Sequence, residues 1–446
     1  MTYRLTEYQT TKEALPYDFD VLGFKAYLDD VWRSRFAFYE TQTENYSKKQ
    51  PFLSFEYAGP KCGPRLTSDK YVGFVQYNGV TIEILPKIFE PEQSGVAFRH
   101  LLWWLYYCRN IRFPFTELLR GSEVIDDFPE ALIGYFARYT LDLISRQPYY
   151  QYEEKTEAMS FLRGQLNTAA YVRESLSRGN LHQLVCDHAP FVHDNRLNQI
   201  IKYVSRKLSG LCRFADTHRR LGQLLFALDE VSDISASVQD CDAIHLNRFY
   251  QEYESCLSMC RFFLEDSTLN QHQDQQRHFC FLLPMDSIFE GFVTGITQLY
   301  FSDRFKVEPQ KAGCYLTDQE AFRIKNDMLL TNYDSKKQLI VDTKYKLRSK
   351  EKIDAKGGVN QSDLYQMVSY ALRRNTDQVL LLYPNKYGQD WADNAYYTVS
   401  SQLLNVNPLH CRAISIEITG SDRQTMVQNV IAQLSKAYNT TLTSQG

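Results

Sequence analysis

The sequence predicts an α+β protein whose last part is a mixed α/β core. Three observations carry this. Residues 284–384 read as helix, strand, strand, helix, strand. Residues 71–88 read as a β-hairpin, and the stretch between is dominated by helical runs. With 446 residues the chain is long enough for two or three domains. Three are expected: a mixed, hairpin-bearing segment at 1–135, a mostly helical one at 136–270, and the α/β core at 271–446.

Composition narrows the class. Hydrophobic residues make up 44% and charged residues 23%, proportions of a globular chain with a sizeable core. A net charge of −3 provides no global basic field, so any contact with nucleic acid must come from local patches or a partner. The 31 Tyr and 27 Phe fit aromatic cores and interfaces better than a base-stacking surface. None of the ten Cys lies in a C-x-x-C motif. Cys256 and Cys260 lack a matching second pair, and Cys186, His188 and His193 read as core or surface residues rather than a zinc site. The polar start and the lack of a run of about 18 apolar residues predict a cytoplasmic chain with reduced thiols and no membrane span. There is no G-x-x-x-x-G-K-[ST] loop, so nucleotide use must belong to a partner.

Taken in order, Phe19–Glu40 reads as a helix. In YVGFVQYNGVTIEILPKI (71–88), apolar and polar residues alternate on both sides of Asn78-Gly79, the strongest short-range hairpin signal. Pro86 takes the chain out of the sheet, because it cannot donate to a ladder. Phe98–Cys108 is an apolar segment too short to span a membrane and reads as a buried helix. A helix follows at 129–147, with Pro129 at its start. Residues 149–160 turn polar, and Arg163-Gly164 marks a turn or strand start. Asp194 or Asn195 is expected to cap the next helix. Arg196, Lys202, Arg206 and Lys207 make that helix basic, which suits a solvated face or a DNA-backbone contact. Helices are expected at 213–232 and 245–265, and a polar linker at 266–278.

The chemistry-bearing residues come next. Pro284–Phe301 carries an apolar helical stripe of Ile288, Phe289, Phe292, Val293, Ile296 and Leu299, with Glu290 off its centre. Residues 321–345 read as two strands joined by a polar turn. The first carries Asp327. The second carries Asp342 and Lys344, which share a face because they are two apart on a strand. Two carboxylates and an ammonium would then converge. Such carboxylates suit a hard cation such as Mg²⁺, and the lysine can hold water or steady negative charge on phosphorus. Alone, D-x-K is a weak signal, and a surface hairpin with ordinary charges reads the same. A helix at 361–374 places Gln366 and Tyr370 on one face, and the apolar strand QVLLLYP follows. The charged, Gly357-Gly358-containing stretch 347–362 reads as a loop.

In this order, FEGFV (289–293), the Asp327 strand, IVDTKYK (340–346), DLYQMVSYA (363–371) and LLLYP (380–384) resemble the C-terminal nuclease domain of the McrC family, within the PD-(D/E)XK superfamily. The LPKI end of the hairpin and the Leu162-Arg163-Gly164-Gln165 segment resemble that family's N-terminal and central regions. The resemblance implies a Mg²⁺-dependent endonuclease subunit of a modification-dependent restriction system. Asp327, Asp342 and Lys344 would be its catalytic trio, Glu290 and Gln366 auxiliary site residues, and Asp327, Asp342 and Glu290 the metal ligands. It also implies an N-terminal region that docks on a McrB-like AAA+ GTPase, with modified double-stranded DNA as substrate. Asn326 stands where the superfamily has proline. The alternative from another class is a non-catalytic adaptor that binds and stimulates an AAA+ NTPase.

Overall fold

The alternating stretch around Asn78-Gly79 forms the expected hairpin. In this computed structural model the structure describes residues 1–36, 50–57, 63–108, 128–265, 278–310, 314–348, 356–389, 395–400 and 408–443. By internal contacts the chain divides into two units, Met1–Asp126 with Asp266–Gly446, and Asp127–Glu265. The first and last thirds of the sequence therefore fold together, where three successive segments were expected. Most of the predicted linker, 266–277, lies outside the described residues.

The first unit opens with β1 (Thr2–Thr6), α1 (Val21–Phe36), β2 (Leu53–Tyr57), β3 (Pro64–Ser68), β4 (Tyr71–Tyr77), β5 (Val80–Leu85) and α2 (Ser94–Tyr107). Asn78 and Gly79 both have positive φ, +47° and +77°, as a two-residue turn matching strand twist demands. β1 runs parallel to β5, from Thr2 opposite Thr81 to Thr6 opposite Leu85. The Asp20 side chain accepts from Gly23 N–H at 2.9 Å and starts α1; positions 37–40 of the expected helix lie outside the described residues. Phe24, Tyr27, Leu28 and Val31 of α1 pack with Leu5, Val75, Ile82 and Ile84. The apolar segment at 98–108 falls in α2, buried through Phe98, Leu101, Leu102, Trp103, Trp104 and Leu105. Trp104 Nε1 donates to Ile418 O at 2.8 Å, which satisfies its buried indole.

The second unit starts with α3 (Phe128–Arg146) and continues with β6 (Gln151–Tyr152), β7 (Lys155–Met159), β8 (Gln165–Leu166), β9 (Leu184–His188) and β10 (Phe191–Val192). Its helices are α4 (Arg196–Ser209), α5 (Ala215–Ala227), the short α6 (Val238–Asp242) and α7 (Glu252–Glu265). Asn195 is the cap of α4, accepting from Asn198 N–H at 3.1 Å. The basic side chains of α4 are largely spoken for within the unit. Arg196 pairs with Asp240 at 2.7 Å, Arg206 with Asp233 at 2.8 Å, and Lys202 donates to the Val231 carbonyl at 2.5 Å.

The first unit resumes with β11 (Phe279–Pro284), α8 (Met285–Tyr300), β12 (Phe305–Pro309), β13 (Cys314–Tyr315), β14 (Arg323–Ile324), β15 (Met328–Asn332) and β16 (Gln338–Thr343). It ends with α9 (Gln361–Arg374), β17 (Gln378–Pro384), β18 (Ala395–Val399), β19 (Leu409–Ile416) and α10 (Arg423–Thr443). β11 pairs antiparallel with β4, giving a sheet of order β1-β5-β4-β11. A second sheet has order β12-β15-β16-β17-β19-β18. β16, β17 and β19 are parallel neighbours, and the flanking pairs are antiparallel. Every residue of β17 is buried, as a central parallel strand covered on both faces requires. The α8 stripe is buried at Ile288, Phe289, Phe292, Val293 and Ile296, but Leu299 is 52% exposed: the helix is near its end there and the core no longer faces it. No described helix is long and apolar enough to cross a membrane.

Candidate active site

The site is built where α8 and α9 approach the start of β15 and the end of β16, two neighbouring inner strands of the second sheet. Asp342 lies within β16, flanked by residues paired to β15 on one side and β17 on the other. Lys344 follows just beyond the strand, its N–H bonded to Leu382 O at 2.8 Å. The i, i+2 spacing acts as expected. Lys344 Nζ stands 2.7 Å from Asp342 Oδ2, an ion pair whose angle falls short of a hydrogen bond. The same ammonium donates to Gln366 Oε1 at 3.0 Å, and Gln366 Nε2 donates to Tyr370 OH at 2.9 Å. A chain from Asp342 through Lys344 and Gln366 to Tyr370 thus crosses from β16 to α9.

Asp327 sits one residue before β15 rather than within a strand. Its Oδ2 accepts from Thr343 N–H at 2.7 Å and from Thr343 Oγ1 at 2.6 Å. Thr343 points away from the Asp342–Lys344 pair, as its position between them dictates, and fixes Asp327 against the strand end. Glu290 joins from α8. Gln310 Nε2 donates to Glu290 Oε1 at 2.8 Å, and Gln310 N–H donates to the Asp327 carbonyl at 2.8 Å. Gln310 has φ +44°, an uncommon backbone for a non-glycine residue.

Electrostatics tie the carboxylates together. Burial and then the Asp327 charge push the Asp342 carboxyl up to about 7. Glu290 is raised by the same two causes in the same order, and Asp327 is raised by its own burial against the pull of the Thr343 bonds. Burial lowers the Lys344 ammonium, but the summed field of Asp342, Asp327 and Asp363 outweighs it and leaves the group raised. This is a set of oxygen donors that resists ionisation without a compensating positive charge, the donor chemistry of a hard cation. Among the described residues, no three His, Cys, Asp or Glu side chains already stand as a metal cage; the Lys344 ammonium supplies the positive charge beside Asp342.

All five sequence-predicted residues are therefore in one neighbourhood. Asp342, Lys344 and Gln366 touch in series, Asp327 is coupled to Asp342 by charge, and Glu290 reaches Asp327 through Gln310. Sequence reasoning missed Gln310 and Thr343. Thr343 had a signal, its place between Asp342 and Lys344. Gln310 had none, because a glutamine at positive φ cannot be anticipated. The loop expected at 347–362 ends sooner, since α9 begins at Gln361; residues 349–355 lie outside the described residues. Arg348 Nη2 donates to Gly357 O at 2.6 Å and so holds the two flanks of that loop together.

The sequence model described as McrBC 5-methylcytosine restriction system component matches residues 66–384, well over half of the chain. The chain belongs to the McrBC family. The matched span takes in β4, β5 and every residue of the site. The fold of this McrBC-family chain is similar to a chain in the refined half-complex from the tetradecameric assembly of Thermococcus gammatolerans McrB AAA+ hexamers with bound McrC. That likeness has a TM-score of 0.70 at 16% identity and covers 98% of this chain and 100% of the other. A second similar chain comes from the cryo-EM structure of the Thermococcus gammatolerans McrBC complex, with TM-score 0.48, 20% identity, and 67% and 87% of the two chains covered. No curated protein matches the sequence at a significant level.

Proposed function

We propose that this McrBC-family chain is the endonuclease subunit of its restriction system, hydrolysing phosphodiesters of modified double-stranded DNA with Mg²⁺ through a PD-(D/E)XK core. The observation that carries this reading is the contact of Lys344 with both Asp342 and Gln366, beside a second, half-buried acid, Asp327. A bound Mg²⁺ would supply Lewis-acid polarisation of a phosphoryl oxygen and a water of lowered pKa. Asp327 and Asp342 would hold it, with Glu290 on the α8 side. Thr343 keeps Asp327 in place. Lys344, drawn off Asp342, is within reach to orient the attacking water or to meet charge developing on the phosphate. Gln366 and Tyr370 limit where the lysine can go.

Nucleotide use is assigned to a partner, in keeping with the similar chain at TM-score 0.70, which comes from an assembly of McrB AAA+ hexamers with bound McrC. We take a McrB-like AAA+ GTPase as the partner of this chain. The alternative is a non-catalytic adaptor of the same architecture that binds and stimulates the AAA+ partner. The deciding experiment is cleavage of methylated plasmid by this chain with its AAA+ partner, GTP and Mg²⁺. Wild type should cut. Lys344→Ala and Asp342→Ala should cut at least about 100-fold more slowly, the scale of losing one group aimed at the transition state, while still stimulating the partner's NTPase. No cutting by wild type on any substrate, with NTPase stimulation present, would establish the adaptor.

A further inference from the structure

The catalytic-strand end is held from the other sheet. Beyond Lys344 the chain leaves β16, and the Tyr345 carbonyl accepts from Lys87 Nζ at 2.6 Å. Lys87 belongs to the Leu85-Pro86-Lys87-Ile88 segment that ends β5. Its ammonium lies 4.4 Å from the centroid of the Tyr345 ring and 4.9 Å from that of Tyr8, so it sits between two aromatic rings that favour a cation. Its backbone N–H donates to Glu7 Oε2 at 3.0 Å. Glu7 is 2% exposed, and its carboxylate also faces the Tyr345 hydroxyl, without a well-aligned hydrogen bond between them. The Tyr345 ring is buried and packs on Phe289, the neighbour of Glu290 on α8, at 5.7 Å.

We infer that Lys87, backed by Glu7, is a positioning residue for Lys344. Lys344 lies outside the regular strand, so its backbone has one sheet bond, to Leu382. The Lys344 carbonyl accepts from Lys346 N–H at 2.7 Å, a local turn bond that ties it to no other element; the next carbonyl is the next point held from outside, and Lys87 holds it from just past the end of β5. A lysine side chain with four rotatable bonds finds Asp342 and Gln366 together only if its Cα is fixed. Burial pushes Glu7 up to about 8, and a buried acid beside a half-buried lysine is costly to keep unless the pair has a task or a tight fit. Holding the Tyr345 carbonyl is such a task.

One arm of the test rests on the nuclease reading and one does not. In the metal-free full chain, amine acylation of Lys344 is followed by mass spectrometry against the remaining lysines. Lys87→Met should speed labelling of Lys344 several-fold, and Lys87→Arg, which retains a cation of similar reach, should not. With partner, GTP and Mg²⁺, Lys87→Met should lower kcat about 10- to 100-fold, the loss expected for a small misplacement, with KM for DNA unchanged. Unaltered Lys344 labelling in a folded Lys87→Met chain overturns the inference, whether or not wild type cuts. Absence of cutting by wild type overturns the nuclease reading alone. Should Lys87→Met fail to fold, Lys87→Gln, one bond shorter and still polar, is scored by the same labelling.

Discussion

Asp342 is 2% exposed, and its carboxyl is pushed up to about 7, by burial first and by Asp327 second. An unfolded Asp titrates near 3.9. The folded chain therefore binds this proton more tightly than the unfolded chain does. The stabilisation that follows is fully present below about pH 4 and is lost as pH rises through about 7. Asp342→Asn removes the dependence. In urea melts of metal-free protein the variant should gain on wild type from pH 5 to pH 8, by about 2–3 kcal/mol; parallel curves would contradict the assigned shift. If the acids hold Mg²⁺ as proposed, the ion should raise the Tm of wild type at pH 8 in proportion to the logarithm of its concentration. Asp342→Ala should show no such rise. Much of the site was legible at this scale, because Asp342 and Lys344 needed only the period of a strand to be placed together. Asp327 was placed on a strand and lies just ahead of one, since a two-residue strand and a bend precede β15. Gln310 became part of the site through a backbone conformation that no residue pattern encodes.

The elements were legible wherever their period was local. The α8 stripe, the α9 face, the Asn78-Gly79 turn and the apolar β17 all repeat at helix or strand spacing. What local pattern cannot reveal is pairing between distant segments. β11 follows a polar stretch and read as the entry to a separate domain, yet it lies antiparallel to β4, with Leu282 opposite Gly73. Gly73 shows what that pairing demands. Its φ is +134°, and a Cβ there would stand 2.0 Å from Phe281 O. Only glycine admits both the conformation and the approach. Gly73→Ala should cost on the order of 2–4 kcal/mol, combining backbone strain with displacement of β11. Equilibrium unfolding measures this, and a loss under about 1 kcal/mol would mean that the β4–β11 pairing is looser than described. Because Lys87 follows β5 by two residues, weakening this sheet should also loosen Lys344, whereas an equal loss of stability placed in the second unit should not.

At the scale of the molecule, the proposed division of labour assigns cleavage to the site around Asp342 and partner docking to the region of the β4–β5 hairpin. The fold restricts how that is tested. β4 and β5 are the two inner strands of the β1-β5-β4-β11 sheet, and Val72, Val75, Ile82 and Ile84 are fully buried. Deleting the hairpin would remove the sheet's centre and unfold the unit, so loss of function would carry no information. The turn itself is exposed at Asn78 and Gly79 and can be changed without touching the core. Asn78→Asp keeps a residue type that tolerates positive φ and adds a charge at the tip. If the hairpin docks on the AAA+ ring, this change should weaken stimulation of the partner's NTPase by about 5- to 30-fold, the span of roughly 1–2 kcal/mol at an interface residue. Lys344 acylation and the melting curve should stay as in wild type. Asp342→Ala should show the reverse pattern, with stimulation kept and cleavage gone. Full stimulation by a folded Asn78→Asp chain would move the docking surface elsewhere on the molecule, and loss of both activities in either variant would show that the two functions are not carried by separable parts.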